Sequence, residues 1–389
     1  MKLNFLYALG FVLFFGGFTS CSDDDGETIN PDPENDLTAE VMTNYADMAL
    51  AGYQGALDDA KSLKTVIDAF AADPTQANFD AAKKAWKESR ETYGPTEAFR
   101  FANGPIDSGD TEEIEGLLNS WPMDEAFVDY VDGAPNAGII NSTEAFPTLS
   151  KEVLMAQNGN NGEENVSIGY HAIEFLLWGQ DLTAPSENLP GQRPYTDFVD
   201  GGTAANQERR REYLSICADL LVEDLQTIVD QWEGPYKSKY LALPEDEAIS
   251  NIVESLAELS RSELAVERIA VALDNQDQED EHSCFSDNTD RDIRLNLEGI
   301  VNIYSGKFAG VNGTSLKELI SENDAELGNE LNDLLREAEE KVEATDSPFD
   351  LAIAGGATSE KGAKVQDAVK ALKAFGDKLL DAKIALELQ

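Results

Sequence analysis

The sequence predicts an all-α fold, built as two related helical bundles that pack together with a cleft between them. Apolar residues recur every three or four positions over long stretches, which is the pattern of helices that bury one face. Alternating apolar and polar runs bounded by turns, which would indicate strands, are nearly absent. A length of 389 residues is sufficient for two packed cores.

Five long segments carry the helical pattern. They are residues 39–73, 77–93, 207–233, 248–274 and 364–386. The pair Gly94-Pro95 directly follows the second of them. We expect that helix to end or kink there, because proline lacks the backbone amide and its ring clashes with the preceding turn.

A short motif that occurs twice suggests that the two bundles are related. Residues 63–70 read LKTVIDAF and residues 225–232 read LQTIVDQW, each at the end of a long helix. In both halves a linker and a second amphipathic helix follow. We therefore predict one bundle over residues 39–195 and the other over residues 205–389, joined by a stretch rich in Pro and Gly.

The N-terminus resembles that of a bacterial lipoprotein. Lys2 precedes an uncharged apolar run, and small residues come directly before Cys21, as in a lipobox. We expect residues 1–20 to be a signal peptide, Cys21 to carry the lipid, and the acidic residues 21–38 to be a flexible tether. The protein would lie in the cell envelope as an outer-membrane lipoprotein, and the SDDD after the cysteine favours surface exposure. An uncleaved membrane anchor is the alternative, although the apolar run is short for one.

The acidic composition limits the partners of this chain. It has 75 Asp and Glu against 29 Lys and Arg, a formal charge of −46. Such a field repels phosphate backbones and anionic headgroups, so we expect no nucleic-acid partner and membrane contact through the lipid anchor only. The field also attracts cations and basic partners, although a soluble acidic surface is the simpler reason for the charge.

The stretch SIGYHAIEFLLWG contains His171, one of only two histidines, and Glu174. The two lie three residues apart, so they project from one side of a helix that is otherwise apolar on every face and therefore buried. A buried carboxylate must meet a cation, a proton or a hydrogen-bond donor. Either the two side chains bind one metal ion, or they form a satisfied pair within the core.

A second group of polar residues follows the Gly94-Pro95 break. Glu97 and Arg100 lie three apart among apolar residues, and they are either a local ion pair or part of a cleft. Asp107 comes after a further Gly-Pro turn and is a candidate buried acid or a helix cap.

A third group lies on the fourth helical segment. Glu263 and Glu267 are one α-helical turn apart on an apolar helix, with Arg268 beside them. The acidic loop that follows lacks the spacing of an EF-hand, and we expect it to be solvated. Its His282 and Cys284 could fold back as a structural lock.

The candidate ligands favour iron over a structural zinc. No HExxH, Gly-rich phosphate loop or GxSxG is present. His171 and Glu174 supply two ligands, whereas a catalytic zinc usually has three protein ligands and a water. Further ligands would come from Glu97, Glu263 or Glu267. Carboxylate-rich ligation with one imidazole suits iron or another oxygen-preferring ion, with zinc as the alternative.

Several stretches show a family resemblance. Gly169, His171 and Glu174 form a GxHxxE motif similar to that of the imelysin family. TEAFRF with GPID, GLLNSWPMDEAFVDYVDG and EDEHSCFSDNT resemble the iron-regulated, IrpA-like branch of that family, and the likeness extends over nearly the whole chain after the tether. The resemblance implies two helical bundles with the GxHxxE residues near the cleft between them. It also implies that Glu97 and Arg100 are cleft residues.

Members of this family are associated with bacterial iron uptake, and have been labelled metallopeptidases because of the HxxE pair. By resemblance we expect an envelope-anchored protein that binds iron, haem or another iron complex, and that works with an envelope transporter. Arg100 and Arg268 would balance charge or hold an anionic chelator. The alternatives are a zinc-dependent peptidase, in which the metal activates water, and a structural scaffold.

Overall fold

The structure, a computed structural model, describes residues 37–107 and 114–388. The predicted signal peptide, Cys21 as the predicted site of lipid attachment, and residues 21–36 of the predicted tether lie outside the described residues. Within the described part, no helix is both long enough and apolar enough to cross a bilayer.

The fold is all-α, as predicted. Among the described residues, the only sheet is a hairpin of two short strands. The α-helices are α1 (Leu37–Ala72), α2 (Gln76–Tyr93), α3 (Glu115–Leu118), α4 (Glu125–Val128), α5 (Gly138–Asn141), α6 (Lys151–Gln157), α7 (Gly169–Trp178), α8 (Gln207–Glu233), α9 (Pro235–Tyr240), α10 (Glu245–Glu258), α11 (Val271–Asn275), α12 (Thr289–Ser305), α13 (Leu316–Asn323), α14 (Ala325–Glu343), α15 (Phe349–Ile353), α16 (Glu360–Leu379) and α17 (Asp381–Ala385). Strands β1 (Lys307–Phe308) and β2 (Val311–Asn312) pair antiparallel. The 3-10 turns are Gly94–Phe99, Pro185–Glu187, Tyr195–Phe198 and Gln278–Asp280, and a π-helical segment, Leu259–Ala270, joins α10 to α11.

Helix α1 packs against α2 on one side and against α8 on another. Its buried residues recur at helical spacing, as Tyr45, Ala49 and Tyr53 illustrate, so a continuous stripe faces its neighbours. The apolar core built on this stripe extends through the described chain. The division into one bundle over residues 39–195 and another over residues 205–389 stays a prediction.

Helix α2 ends at the predicted break. Gly94 and Pro95 begin a 3-10 turn instead of a further α-helical turn. A Cβ atom at Gly94 would lie 2.7 Å from Cβ of Leu295, and one at Gly299 would lie 2.3 Å from the carbonyl oxygen of Pro95. The two glycines therefore allow the turn to pack directly on α12, and this contact brings the polar residues of both segments together.

The helix that runs from α10 to α11 is π-helical over Leu259–Ala270. In a π-helix each amide bonds to the carbonyl five residues earlier, so residues five apart lie over one another. Helix α16 packs closely here, because a Cβ atom at Gly376 would lie 2.8 Å from Cβ of Arg261. Ser260 also donates a hydrogen bond to the carbonyl of Leu372 at 2.8 Å.

A buried ionic cluster centred on Asp129 fixes the start of α8. Arg210 donates to both carboxylate oxygens, at 2.7 and 2.8 Å, and Arg193 donates to one of them at 2.5 Å. The three side chains are at most 1% exposed. Burial opposes ionisation of Asp129, but the two guanidinium groups outweigh it and hold the pKa of this carboxyl below its usual value.

Asp129→Asn should lower the free energy of unfolding by about 3–5 kcal/mol, because it leaves two buried guanidinium groups without their carboxylate. Urea unfolding followed by circular dichroism measures the change. Asp200→Asn is the matched control, since Asp200 pairs with Arg211 at 2.9 Å but is 79% exposed. The control should lose less than about 1 kcal/mol. Equal losses in the two variants would contradict a structural role for the buried cluster.

The same carboxylate should make stability fall in acid. A carboxyl whose pKa is lower in the folded chain contributes fully above its ordinary pKa of about 3.9, and the contribution is lost as the pH falls through the folded value. The difference in unfolding free energy between the wild type and Asp129→Asn should therefore shrink below about pH 4. Urea titrations at a series of pH values test this, and a difference that stays constant would argue against the lowered pKa.

Candidate functional site

Helix α7 carries the GxHxxE motif through the core. All ten of its residues are buried, as the uniformly apolar sequence predicted. Trp86 of α2 donates a hydrogen bond from Nε1 to the carbonyl of Tyr170 at 2.9 Å, and Tyr213 of α8 donates to the carbonyl of Ser167 at 2.7 Å. The helix is therefore held from both sides, and its polar side chains have fixed positions.

Gly169 has a backbone role at the start of α7. Its φ is +86°, a conformation that side-chain-bearing residues rarely adopt. A Cβ atom at Gly169 would lie 2.6 Å from the carbonyl oxygen of Leu118 and 2.8 Å from that of Leu117. The glycine of the motif is thus required by a turn and a close backbone contact, which set the position of His171 two residues later.

His171 and Glu174 contact each other, as their spacing predicted. Nδ1 of His171 lies 3.0 Å from Oε2 of Glu174, and Oε1 of Glu174 accepts hydrogen bonds from the amide and hydroxyl of Ser286, at 3.0 and 2.6 Å. Burial raises the pKa of Glu174 to about 8, and the Ser286 hydrogen bonds only partly oppose it. Burial and the nearby Arg90 lower the pKa of His171 to about 3, so its imidazole is neutral at neutral pH.

The second histidine lies beside the first. The rings of His171 and His282 are 4.7 Å apart between centroids and nearly perpendicular, at 80°. Nδ1 of His282 lies 2.8 Å from Oδ2 of Asp292. Burial and Arg268 lower the pKa of His282 to about 3. The expectation of a solvated loop is wrong for this part of the chain, because the residues around His282 pack into the core beside α7.

Arg90 connects the histidines to the rest of the site. Its Nε donates to Oδ1 of Asp292 at 3.3 Å, its Nη2 lies 3.2 Å from Oδ2, and its Nη1 donates to Oδ1 of Asn119 at 2.6 Å. The guanidinium also lies 4.9 Å from the ring centroid of Tyr170. Burial disfavours the charge on Asp292, but Arg90 and the hydrogen bonds of His282 lower the pKa of this carboxyl.

Glu97 is the next member of the chain of contacts. It accepts from Asn119 Nδ2 at 3.5 Å, from Arg268 Nη2 at 2.6 Å and from Arg100 Nη1 at 3.2 Å. Burial opposes ionisation, yet the two guanidinium groups lower the pKa of the Glu97 carboxyl, so it is an anion. Glu97 and Arg100, from the segment after Gly94-Pro95, therefore contact Arg268, from the fourth helical segment, in the core.

Two charged residues of the π-helical segment join the site. Glu263 and Arg268 are five residues apart, so in this geometry they lie over one another, and Arg268 Nη2 donates to Glu263 Oε1 at 2.9 Å. Arg268 Nη1 also donates to Asn296 of α12 at 2.6 Å. Glu267, which α-helical spacing would put beside Glu263, is exposed.

The site reaches the surface at Arg100. Its Nη1 lies 3.4 Å from carboxylate oxygens of Glu115 and Glu263, and its Nε lies 3.4 Å from Asp107. Asp107, Glu115 and Glu263 form a carboxylate rim whose side chains are 23, 17 and 23% exposed. Burial raises the pKa of Glu115 to about 7 against the effect of Arg100, and burial also raises the pKa of Asp107.

These contacts form one buried network that continues from α7 to the carboxylate rim. Its members are Glu174, Ser286, His171, His282, Asp292, Arg90, Asn119, Glu97, Arg268, Asn296, Arg100, Glu263, Glu115 and Asp107. Of the sequence-predicted site residues, Gly169 shapes the backbone and Glu267 lies outside the network. The sequence analysis did not assign seven members to it: Arg90, Glu115, Asn119, His282, Ser286, Asp292 and Asn296.

Two nitrogen atoms of the network are suited to bind a metal ion. Nε2 of His171 and Nε2 of His282 have no hydrogen-bond partner among the described residues, and both are buried. Neutral imidazole nitrogen is a common ligand of iron and zinc. Across residues 37–107 and 114–388, no three His, Cys, Asp or Glu side chains are placed to hold one ion together.

The fold and the site define a class of helical protein whose core encloses an extended network of charged and imidazole groups. The chain belongs to the imelysin family, whose sequence profile matches residues 49–379. It is similar to "Iron-regulated protein A" of Synechococcus elongatus, with 24% identity over 333 residues that cover 82% of this chain and 79% of that protein.

Two solved structures share the fold. A proposed iron-regulated protein A precursor from Parabacteroides distasonis has a TM-score of 0.69 at 18% identity, covering 92% of this chain and 97% of that one. An imelysin-like protein from Psychrobacter arcticum has a TM-score of 0.61 at 16% identity, covering 88% of this chain and 92% of that one. The family and the all-α fold predicted from the sequence are thereby confirmed.

Gly169→Ala should lower the free energy of unfolding by about 2–4 kcal/mol, because the new methyl group meets two carbonyl oxygens at a positive φ. Gly55→Ala is the matched control, since a Cβ atom there, inside α1, meets nothing within 4 Å. The control should be neutral or gain up to about 1 kcal/mol from its helix propensity. Thermal unfolding of both variants measures the difference, and similar melting temperatures would contradict the backbone role of Gly169.

Proposed function

We propose that this chain binds an iron ion, or a small iron complex, in its buried network, and that it does so as an envelope-anchored lipoprotein in bacterial iron uptake. The observation that carries the proposal is the pair of buried imidazole Nε2 atoms for which residues 37–107 and 114–388 supply no hydrogen-bond partner. They lie in a network that reaches the surface at acidic residues. An ion bound at these nitrogens would satisfy two polar atoms that are otherwise costly to bury.

The charges around the site favour a cation. At the surface end, Arg100 and Arg268 face four carboxyl groups, those of Glu97 and of the carboxylate rim. The acidic side chains therefore outnumber the basic ones, and the whole chain has a formal charge of −46. A field of this sign raises the local concentration of cations at the rim.

An ion or a weakly charged complex fits this site better than a strongly anionic chelate. Both guanidinium groups that could hold an anion already bond to carboxylates, Arg268 to Glu97 at 2.6 Å and Arg100 to Glu97 at 3.2 Å. An anionic ligand would have to replace these partners and leave the carboxylates unpaired, which is unfavourable in a buried site. The haem alternative is for this reason the less favoured form of the proposal.

The similarity to iron-regulated protein A supports the connection with iron, since that protein's name refers to regulation by iron. Attachment through Cys21 and cooperation with an envelope transporter belong to the same proposal and rest on the lipoprotein-like N-terminus. The zinc-peptidase alternative requires a third protein ligand and a general base, and it stays a prediction.

His171→Ala should abolish specific iron binding, because it removes a buried Nε2 that has no hydrogen-bond partner among the described residues. Anaerobic calorimetry with Fe²⁺ and metal analysis of the purified protein measure the effect. Glu267→Gln is the control, since this glutamate is exposed and outside the network, and it should bind like the wild type. Circular dichroism checks that both variants are folded. Unchanged affinity in His171→Ala would contradict the proposal, and zinc retention with chelator-sensitive cleavage would favour the peptidase.

A further inference from the structure

We infer that His171 and His282 form one paired-imidazole site, in which the two Nε2 atoms are the donors to a single borderline transition-metal ion and Glu174 and Asp292 act as positioning residues. The inference rests on the proposed function, because it specifies how the same site would hold its ion. It changes the donor set expected from the sequence, in which Glu174 was a ligand and His282 a structural residue.

The other ring nitrogen of each histidine already lies within hydrogen-bond distance of a carboxyl group. Nδ1 of His171 lies 3.0 Å from Glu174, and Nδ1 of His282 lies 2.8 Å from Asp292. Metal-binding histidines typically donate their second N–H to a carboxylate or carbonyl, which fixes the ring and directs the free lone pair at the ion. Both rings have this arrangement once Glu174 is ionised, and metal binding releases such protons, so both can present Nε2 as a donor.

The two imidazole rings are close to each other and away from solvent. The ring centroids are 4.7 Å apart, and His171 and His282 are 1 and 2% exposed. A buried polar atom without a partner costs about 1–3 kcal/mol, and here two such atoms lie on adjacent rings. A histidine pair with a purely structural role would be expected to use these nitrogens for hydrogen bonds.

The loop that carries His282 donates hydrogen bonds to both positioning residues, Glu174 and Asp292. Ser286, from the loop that carries His282, donates to Glu174, the partner of the other histidine. Ser283, also in this loop, donates to Asp292 at 2.5 Å. The loop and α7 therefore hold each other, and the separation of the two imidazoles is fixed from both sides.

The donor type selects the ion. Imidazole nitrogen suits Fe²⁺, Zn²⁺, Ni²⁺ and Cu²⁺, whereas Mg²⁺ and Ca²⁺ prefer oxygen ligands. Two protein donors leave coordination positions for water or for a small chelator, as a site that takes up and releases its ion requires. The site is thus expected to bind Fe²⁺ in preference to Mg²⁺ and Ca²⁺.

The wild-type protein allows a direct test, because the chain contains only two histidines. Protein without a histidine tag, labelled with ¹⁵N in its imidazoles, would show two ring systems by NMR. Zn²⁺ serves as a diamagnetic probe and Mg²⁺ as the control ion. Zn²⁺ should shift the Nε2 resonances of both rings in parallel, saturating at one ion per chain, and Mg²⁺ should shift neither. A response from one ring only, or from neither, would overturn the inference.

Variants separate this inference from the proposed function. In anaerobic calorimetry with Fe²⁺, His282→Gln and His171→Gln should each weaken binding by more than about 100-fold, and Glu174→Gln by about 10–100-fold. Glu267→Gln should bind like the wild type. A wild type that binds neither Fe²⁺ nor Zn²⁺ would contradict both the proposed function and the paired site. A wild type that binds Fe²⁺, together with a folded His282→Gln of unchanged affinity, would contradict only the paired site.

Discussion

The ion pair between Arg90 and Asp292 is the contact on which the buried network depends. Arg90 holds Asp292 ionised on one side and bonds to Asn119 on the other, so it joins the imidazoles to the Glu97 group. Asp292 in turn fixes the ring of His282. Each charged group in such a core would be destabilising alone, because burying a charge without a partner costs several kcal/mol. The members are therefore interdependent, and removing one exposes its neighbours to the same cost.

Local backbone geometry decides which side chains join this network. Gly169 permits the turn from which α7 starts, and Gly94 with Gly299 permits close packing between the 3-10 turn and α12. The π-helical register turns Glu263 and Arg268 to the same side. None of these features contributes a functional group, yet each determines where one lies. The electrostatics of the core thus rest on a few backbone contacts that tolerate no Cβ atom, and on one irregular helix.

The long helices, the break at Gly94 and the burial of His171 with Glu174 could be predicted, because each depends on periodicity or on local chemistry. The π-helix could not be predicted, because an apolar helical pattern does not show whether each backbone hydrogen bond spans four or five residues. Glu267 was therefore expected beside Glu263, one α-helical turn away. His282 was missed because its loop reads as a run of acids, and only tertiary packing buries it. Asp292 was missed as well, because it lies in the first turn of α12, where acidic residues are common at the surface, and only tertiary packing buries it.

The burial of the two histidines also determines how fast an ion could exchange with solvent. Because both rings are almost wholly covered, an ion cannot reach them without displacement of packed residues. Exchange of an ion would then follow the frequency of that local opening, and not the rate of diffusion to the surface. Under the proposed function, such an arrangement would give the ion a long residence time even at moderate affinity, with release set by how often the packed core opens.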